Sequence, residues 1–305
     1  MECLKQQVSS SAKLAQSNNC DIAIKEANDF LEGDLRTKLE HFFKDSNLKK
    51  DFEIPPTLVA MPIYSALAKN LNNDDIYHTI KKDSIQKARK IKEFLKKEID
   101  IQDEESLLKF GIYCAALGNV IDYGAQLKFD LEKEKDSLFN MQFKYFDIES
   151  FQEKLMYAKN LLYIGDNAGE NELDEILIEV LQCLNPKLAI TYFTRGQSII
   201  NDITIQDLKK SNSNLFNMCD VVDSGIGTPG FIPDLSSAKA YEIYNTADLI
   251  LSKGMGNFES LESFKNPKIF FLFKVKCSVV SDYLNADIGS FVFLDSSKYR
   301  GSYVD

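Results

Sequence analysis

Residues 161–170 read Leu161-Leu162-Tyr163-Ile164-Gly165-Asp166-Asn167-Ala168-Gly169-Glu170. An apolar run ends in a glycine, and a carboxylate and an amide then stand side by side before a second glycine. Followed by the amphipathic segment 173–184, this reads as a buried strand turning into a helix. The same order recurs downstream. Apolar runs lie at 188–193, 221–222, 249–251, 269–273 and 291–294, with amphipathic stretches such as 202–216 between most of them. Strands alternating with helices predict βαβ units around a mainly parallel sheet buried on both faces. The expected fold class is α/β, doubly wound.

Upstream the texture changes. Leu67, Leu71, Ile76 and Ile80, then Ile91, Phe94, Leu95 and Ile99, recur at helical spacing among lysines and glutamates. The charged run 131–137 reads as a solvated turn or helix end. The expected organisation is a helical N-terminal domain over 1–150 and a Rossmann-like α/β domain over 151–305.

Composition narrows the function classes. The chain has 305 residues, 44% hydrophobic and 27% charged, which is an ordinary globular balance. Its 36 basic and 46 acidic residues leave a net charge of −10. Such a surface repels phosphate backbones and anionic lipid, so neither nucleic acid nor membrane is an expected partner. A small anionic substrate stays compatible, because a local site can carry a metal or lysines. The six cysteines form no CxxC pair and read as reduced thiols of a cytoplasmic protein. The N-terminus lacks the apolar core of a signal peptide. The most apolar stretch, 57–68, is too short to span a bilayer and contains Pro62 and Ser65.

In an open α/β sheet, ligands bind beyond the carboxyl ends of the strands. The residues just after each run therefore carry the functional reading. Asp166 and Asn167 offer hard oxygens suited to a divalent ion, and either could equally cap the following helix. In Asn201-Asp202-Ile203-Thr204, Asp202 is a third oxygen ligand or, like Thr204, a cap. The loop 223–230, with Gly225, Gly227, Pro229 and Gly230, matches neither a P-loop nor a dinucleotide fingerprint. Next comes Ser252-Lys253-Gly254-Met255-Gly256-Asn257-Phe258-Glu259, where an ammonium and loop amides can converge on a phosphate. Run 269–273 leads to Lys274-Val275-Lys276, a second lysine at the corresponding edge. His41 and His78 form no HExxH or HxH pair, so no zinc site is expected. Cys219 and Cys277 read as small buried groups rather than nucleophiles. Two acidic elements, a glycine loop and two lysines on one sheet edge describe a metal-assisted site for a phosphorylated molecule.

These motifs, in this order, resemble the metal-dependent damage-control phosphatases, formerly a domain-of-unknown-function family. One animal member was first described as an acidic-residue methyltransferase. The resemblance is strongest over 160–277. It extends to Gly118-Asn119-Val120-Ile121-Asp122, similar to the family's GNxxD element, and to Asp75-Ile76-Tyr77, similar to its DPY element. It implies that Asp166, Asn167 and Asp202 form the catalytic centre and ligate a divalent metal (Mn, Co, Ni or Mg). It further implies that Gly254, Asn257 and Lys276 hold the substrate, a small phosphorylated metabolite, with Lys253 at the loop entrance. Glu170 would border the site, and Asn119 and Asp122 would reach it from the helical half. Both an aspartyl-phosphate route through Asp166 and direct attack by water fit this pattern. Three departures stand out: Cys3 has no CxxC partner, Ile76 replaces a proline, and Met255 occupies a position often Gln or Asp. Two rival readings are an S-adenosylmethionine-dependent carboxyl methyltransferase and a non-catalytic metal or sugar-phosphate binding protein.

Overall fold

A buried apolar run must pair its backbone N–H and C=O groups, and among the described residues seven strands do so in a single sheet. The computed structural model describes residues 2–14, 19–43, 54–97, 103–118 and 141–299. The strands are β1 (Phe143–Phe146), β2 (Asn160–Ile164), β3 (Ala189–Thr194), β4 (Asp220–Asp223), β5 (Leu249–Lys253), β6 (Ile269–Lys274) and β7 (Phe291–Asp295). They lie in the order β1-β7-β6-β5-β2-β3-β4. Strands β2 to β6 run parallel, β7 is antiparallel to β6, and β1 is parallel to β7. Every predicted run is a strand. Only β1 has no predicted counterpart, because Phe143-Lys144-Tyr145-Phe146 is a short edge segment interrupted by a lysine.

Strand order reverses between β2 and β5. In register, Ile164 pairs with Phe193 of β3 on one side and Ser252 of β5 on the other. This is the topological switch point, where the carboxyl ends of two adjacent strands diverge and leave a crevice.

Helices cover both faces. Before the sheet come α1 (Glu2–Leu14), α2 (Cys20–Leu31), α3 (Leu35–Phe42), α4 (Pro56–Leu71), α5 (His78–Lys97) and α6 (Glu104–Leu117). Then follow α7 (Ile148–Tyr157), α8 (Glu170–Leu184), α9 (Ile205–Lys210), α10 (Leu215–Met218), α11 (Ala238–Thr246), α12 (Met255–Leu261) and α13 (Ser278–Leu284). On one face, Leu161, Tyr163 and Leu251 share a core with Ile91 of α5, Ile112 of α6, Phe151 of α7 and Leu177 of α8. On the other, Leu162, Ile164 and Ile250 meet Tyr244 of α11, Leu261 of α12 and Val280 of α13. The apolar stretch 57–68 is part of α4, whose buried Leu58, Ile63 and Leu67 join α1–α3. That third core also takes in Ile199, Ile226 and Ile232, so α1–α4 pack on the loops after β3 and β4.

The boundary expected near residue 150 falls inside α7. Upstream of it, β1 joins the sheet and α5 and α6 share the sheet's core. Charge explains why α5 docks where it does. Helix α8 buries Glu170, Glu172, Asp174 and Glu175, and buried carboxylates require partners. The basic side of α5 supplies them for two of the four: Arg89 lies 2.7 Å from Glu172, and Lys92 bridges Glu172 and Glu175. Among the described residues, no helix is long and apolar enough to cross a membrane.

Candidate active site

The turn after β2 is built by contact as much as by propensity. A Cβ at Gly165 would overlap the Tyr192 hydroxyl of β3, so only glycine lets the chain pass there. Its N–H donates to Phe193 O at 3.1 Å and extends the sheet by one bond. The chain then zips against the second acidic element. Ile203 N–H donates to Asp166 O at 2.8 Å, Ala168 N–H donates to Asn201 O at 2.8 Å, and Asn167 and Asp202 form an antiparallel bridge. Backbone pairing thus brings Asp166, Asn167 and Asp202 together.

None of the three is a helix cap. Gly169 occupies the N-cap of α8 without any side-chain bond. Thr204 caps α9, in a reciprocal capping box with Asp207. Asp166 and Asp202 are nonetheless buried, at 7% and 3% exposure. Burial pushes Asp166 well above the usual carboxylate range. Glu170 and Asp202 push the same way, and Arg195 and Lys276 oppose them. Asp202 is pushed up to about 6, again chiefly by burial, with Arg195 opposing.

The donor set is open to a cation. The Asn167 amide donates to Asp166 Oδ2 at 2.9 Å and to Glu170 Oε1 at 2.8 Å, and its carbonyl oxygen takes part in neither bond. Asp202 Oδ1 accepts from Arg195 Nε at 2.8 Å. Two carboxylates and one amide oxygen in a buried crevice fit a hard divalent ion.

The phosphate side comes from β5 and β6. Gly254 has φ +85, and a Cβ there would overlap the Asp166 carboxylate, so the glycine loop passes directly against the acidic turn. Lys276 is exposed after β6 and its charge acts on Asp166. Two residues expected to touch substrate have other work. Lys253 is fully buried, 3.0 Å from Glu170 and 2.7 Å from Asp174. Although burial alone would lower it, the two carboxylates hold its ammonium above the usual lysine range. Its ammonium is directed at Glu170, which borders the acidic centre, and at Asp174. Asn257 is also fully buried: it donates to Gly165 O and Lys253 O and accepts from Phe231 N, so it ties loops together.

Asn119 and Asp122 lie outside the described residues. Gly118, just before them, packs on α8, since a Cβ there would lie 3.0 Å from Glu170 Cγ. A cleft of about 620 Å³ opens between α4 and residues 197–199, lined in part by Tyr64, Lys69, Asn72 and Gln197. Its wall adjoins the centre, because Asp202 N–H donates to Ile199 O at 3.1 Å. Burial and nearby Asp220 and Glu175 push the Cys219 thiol up to about 12.

Sequence reasoning passed over Arg195 and Asp174. Neither follows a glycine or belongs to a quoted motif, and only tertiary contact makes them part of the site. It named Asp75 and His78 but did not group them with Asp207; the ligand atoms of the three lie within 4.8 Å of one another, a grouping compatible with a divalent ion. The Lys81 ammonium, 1% exposed, already stands between Asp75 at 2.7 Å and Asp207 at 2.8 Å. A metal there would have to displace a buried cation.

Comparison with known proteins gives a consistent outcome. The model of the family described as "Damage-control phosphatase ARMT1-like domain" matches residues 1–292. A damage-control phosphatase of Pyrococcus horikoshii is 33% identical over 238 residues, which cover 78% of this chain and 80% of that protein. A damage-control phosphatase of Archaeoglobus fulgidus is 27% identical over 77% of this chain and 80% of its own length. The crystal structure of a DUF89 family protein from Pyrococcus horikoshii superposes with a TM-score of 0.80 and 28% identity, covering 97% of this chain and 96% of that one. The chain belongs to the ARMT1-like damage-control phosphatase family, a membership that supports a phosphatase role.

Proposed function

We propose that the protein is a metal-dependent phosphomonoester hydrolase acting on small phosphorylated metabolites, such as sugar phosphates or damaged phospho-metabolites. One observation carries the reading. Two buried carboxylates, Asp166 and Asp202, and the Asn167 side chain stand together beside the switch point. They would hold a divalent cation (Mn²⁺, Co²⁺, Ni²⁺ or Mg²⁺). When bound, such an ion polarises a phosphoryl oxygen and lowers the pKa of water.

The chain's own residues supply the rest. Gly254 lets the loop backbone lie directly against the Asp166 carboxylate. Lys276 stabilises negative charge on the equatorial oxygens from the rim. Glu170, fixed by Lys253, accepts from the Asn167 amide and so turns its carbonyl oxygen away from Glu170. Asn119 and Asp122 would complete the pocket, as the family resemblance implies. A cytoplasmic location is part of this reading, supported by free thiols at Cys20, Cys114, Cys183, Cys219 and Cys277.

The test is phosphate release from a panel of sugar phosphates, with each of the four metals and with EDTA. Turnover with at least one metal, abolished by EDTA, is expected. Binding of substrate and metal without any phosphate release would reduce the protein to a binding module. Methyl transfer from S-adenosylmethionine in place of hydrolysis would sink the reading altogether.

A further inference from the structure

We propose that Arg195 is the built-in counter-charge of the metal centre. Its guanidinium and a divalent cation draw on the same two carboxylates, so Arg195 stabilises the site without metal and weakens the affinity for metal. The proposal rests on Asp166, Asn167 and Asp202 being the ligands.

Arg195 is the first residue after β3, and its backbone cannot shift freely. Its N–H donates to Ile203 O at 3.0 Å, it bridges to Thr204, and the next N–H, of Gly196, donates to Ile226 O at 2.7 Å. From that fixed base the side chain is buried, with 1% exposure. Its Nε donates to Asp202 Oδ1 at 2.8 Å, and its Nη2 stands 3.6 Å from Asp166 Oδ1. Nη2 also donates to Pro229 O at 3.1 Å, which anchors the fork on a third side. One guanidinium therefore spans both acidic elements.

The other cations nearby do different work. Lys253 is taken by Glu170 and Asp174, and Lys276 is exposed. Among the described residues, the two buried carboxylates thus share one buried, permanently charged ion-pair partner, Arg195. That partner satisfies part of their need at all times, which a dissociable ion cannot do. It also repels any second cation at close range. With an effective dielectric of about 20, repulsion between charges a few ångströms apart is worth a tenfold or larger change in affinity. The structure thus describes a centre built to hold an exchangeable metal and to keep its shape when the metal leaves.

The test uses full-length protein treated with EDTA and desalted, as wild type, Arg195→Lys and Arg195→Gln. Mn²⁺ affinity is measured by titration calorimetry at pH 8, and Tm is recorded with and without Mn²⁺. Without metal, both variants should melt below wild type, Arg195→Gln the more. The Mn²⁺ dissociation constant should fall about tenfold in Arg195→Gln, the scale set by one removed repelling charge. The Mn²⁺-induced rise in Tm should be largest in Arg195→Gln. If that variant is unfolded without metal, Mn²⁺-dependent folding is the same result, and Arg195→Lys gives the intermediate value. Mn²⁺ affinity unchanged or weakened in both variants overturns the proposal and makes Arg195 an ordinary strut. Wild type that takes up no Mn²⁺ defeats the ligand assignment itself, and the proposal with it.

Discussion

Asp166 and Asp202 are buried carboxylates whose proximity costs free energy unless cations join them, and the side chains around them divide that task. Ligands and charge stabilisers should separate on mutation. Asp166→Ala removes a charged oxygen from the centre and should abolish both phosphatase activity and metal binding. Lys276→Ala should leave metal affinity nearly intact while lowering kcat/KM by about 10²–10³-fold, the usual range for losing one charge-stabilising group. Calorimetric metal titration beside steady-state kinetics reads the two effects independently. Equal loss of metal affinity in both variants would contradict the division of roles. Lys253 belongs to neither class, because its ammonium is closed off by Glu170 and Asp174.

Among the elements, α12 carries the glycine loop and also a titration. Burial pushes Glu259 up to about 7 from its ordinary 4.5. With the folded value above the unfolded one, native protein binds more protons than unfolded protein between those two pH values. The stability from protonated Glu259 is therefore fully present below about pH 4.5 and lost as pH rises through 7. Glu259→Gln cannot ionise, so it should match wild type at pH 4.5. At pH 8 it should exceed wild type by on the order of 2 kcal/mol, after allowance for partial exposure. Urea denaturation at both pH values checks this, and an equal difference at the two would refute it. Element α9 shows how a local signal was divided correctly by the fold. Thr204 and Asp207 form the cap, and Asp202, two residues earlier, is left for the centre.

For the whole molecule, the joint between the N-terminal helices and the sheet decides whether the centre holds its shape. Lys81 of α5 links Asp75 to Asp207, and Asp207 caps the helix that begins just after Asp202. Lys81→Met removes the cation and leaves two carboxylates facing each other. It should cost about 3 kcal/mol in urea denaturation, as for a broken buried pair, and a change below about 1 kcal/mol would show that the link is unimportant. The segment 151–305 should not fold alone. Without residues 1–150 it lacks β1 and the two helices that cover α8, and Leu177 and the buried glutamates of α8 would meet water. A cooperative thermal transition and no dye binding from that fragment would prove the halves separable.

Periodicity and turn chemistry are properties of neighbouring residues, and for that reason they were legible in the chain. The apolar runs declared β2–β7, the glycines declared the turns, and the Asp166-Asn167 pair with Asp202 declared hard oxygen donors at strand carboxyl ends. Strand order is different in kind. That β5 lies beside β2, and so that Gly254 presses against Asp166, depends on pairings between residues far apart in sequence. The same holds for Arg195 between two acidic turns, for Lys253 facing inward to Glu170, and for α5 and α6 sharing the sheet's core across the expected boundary. A side chain's charge is written in the sequence. Which other charge it must answer is set by burial, because only where water is excluded does an unpaired ion cost enough to select one partner over another.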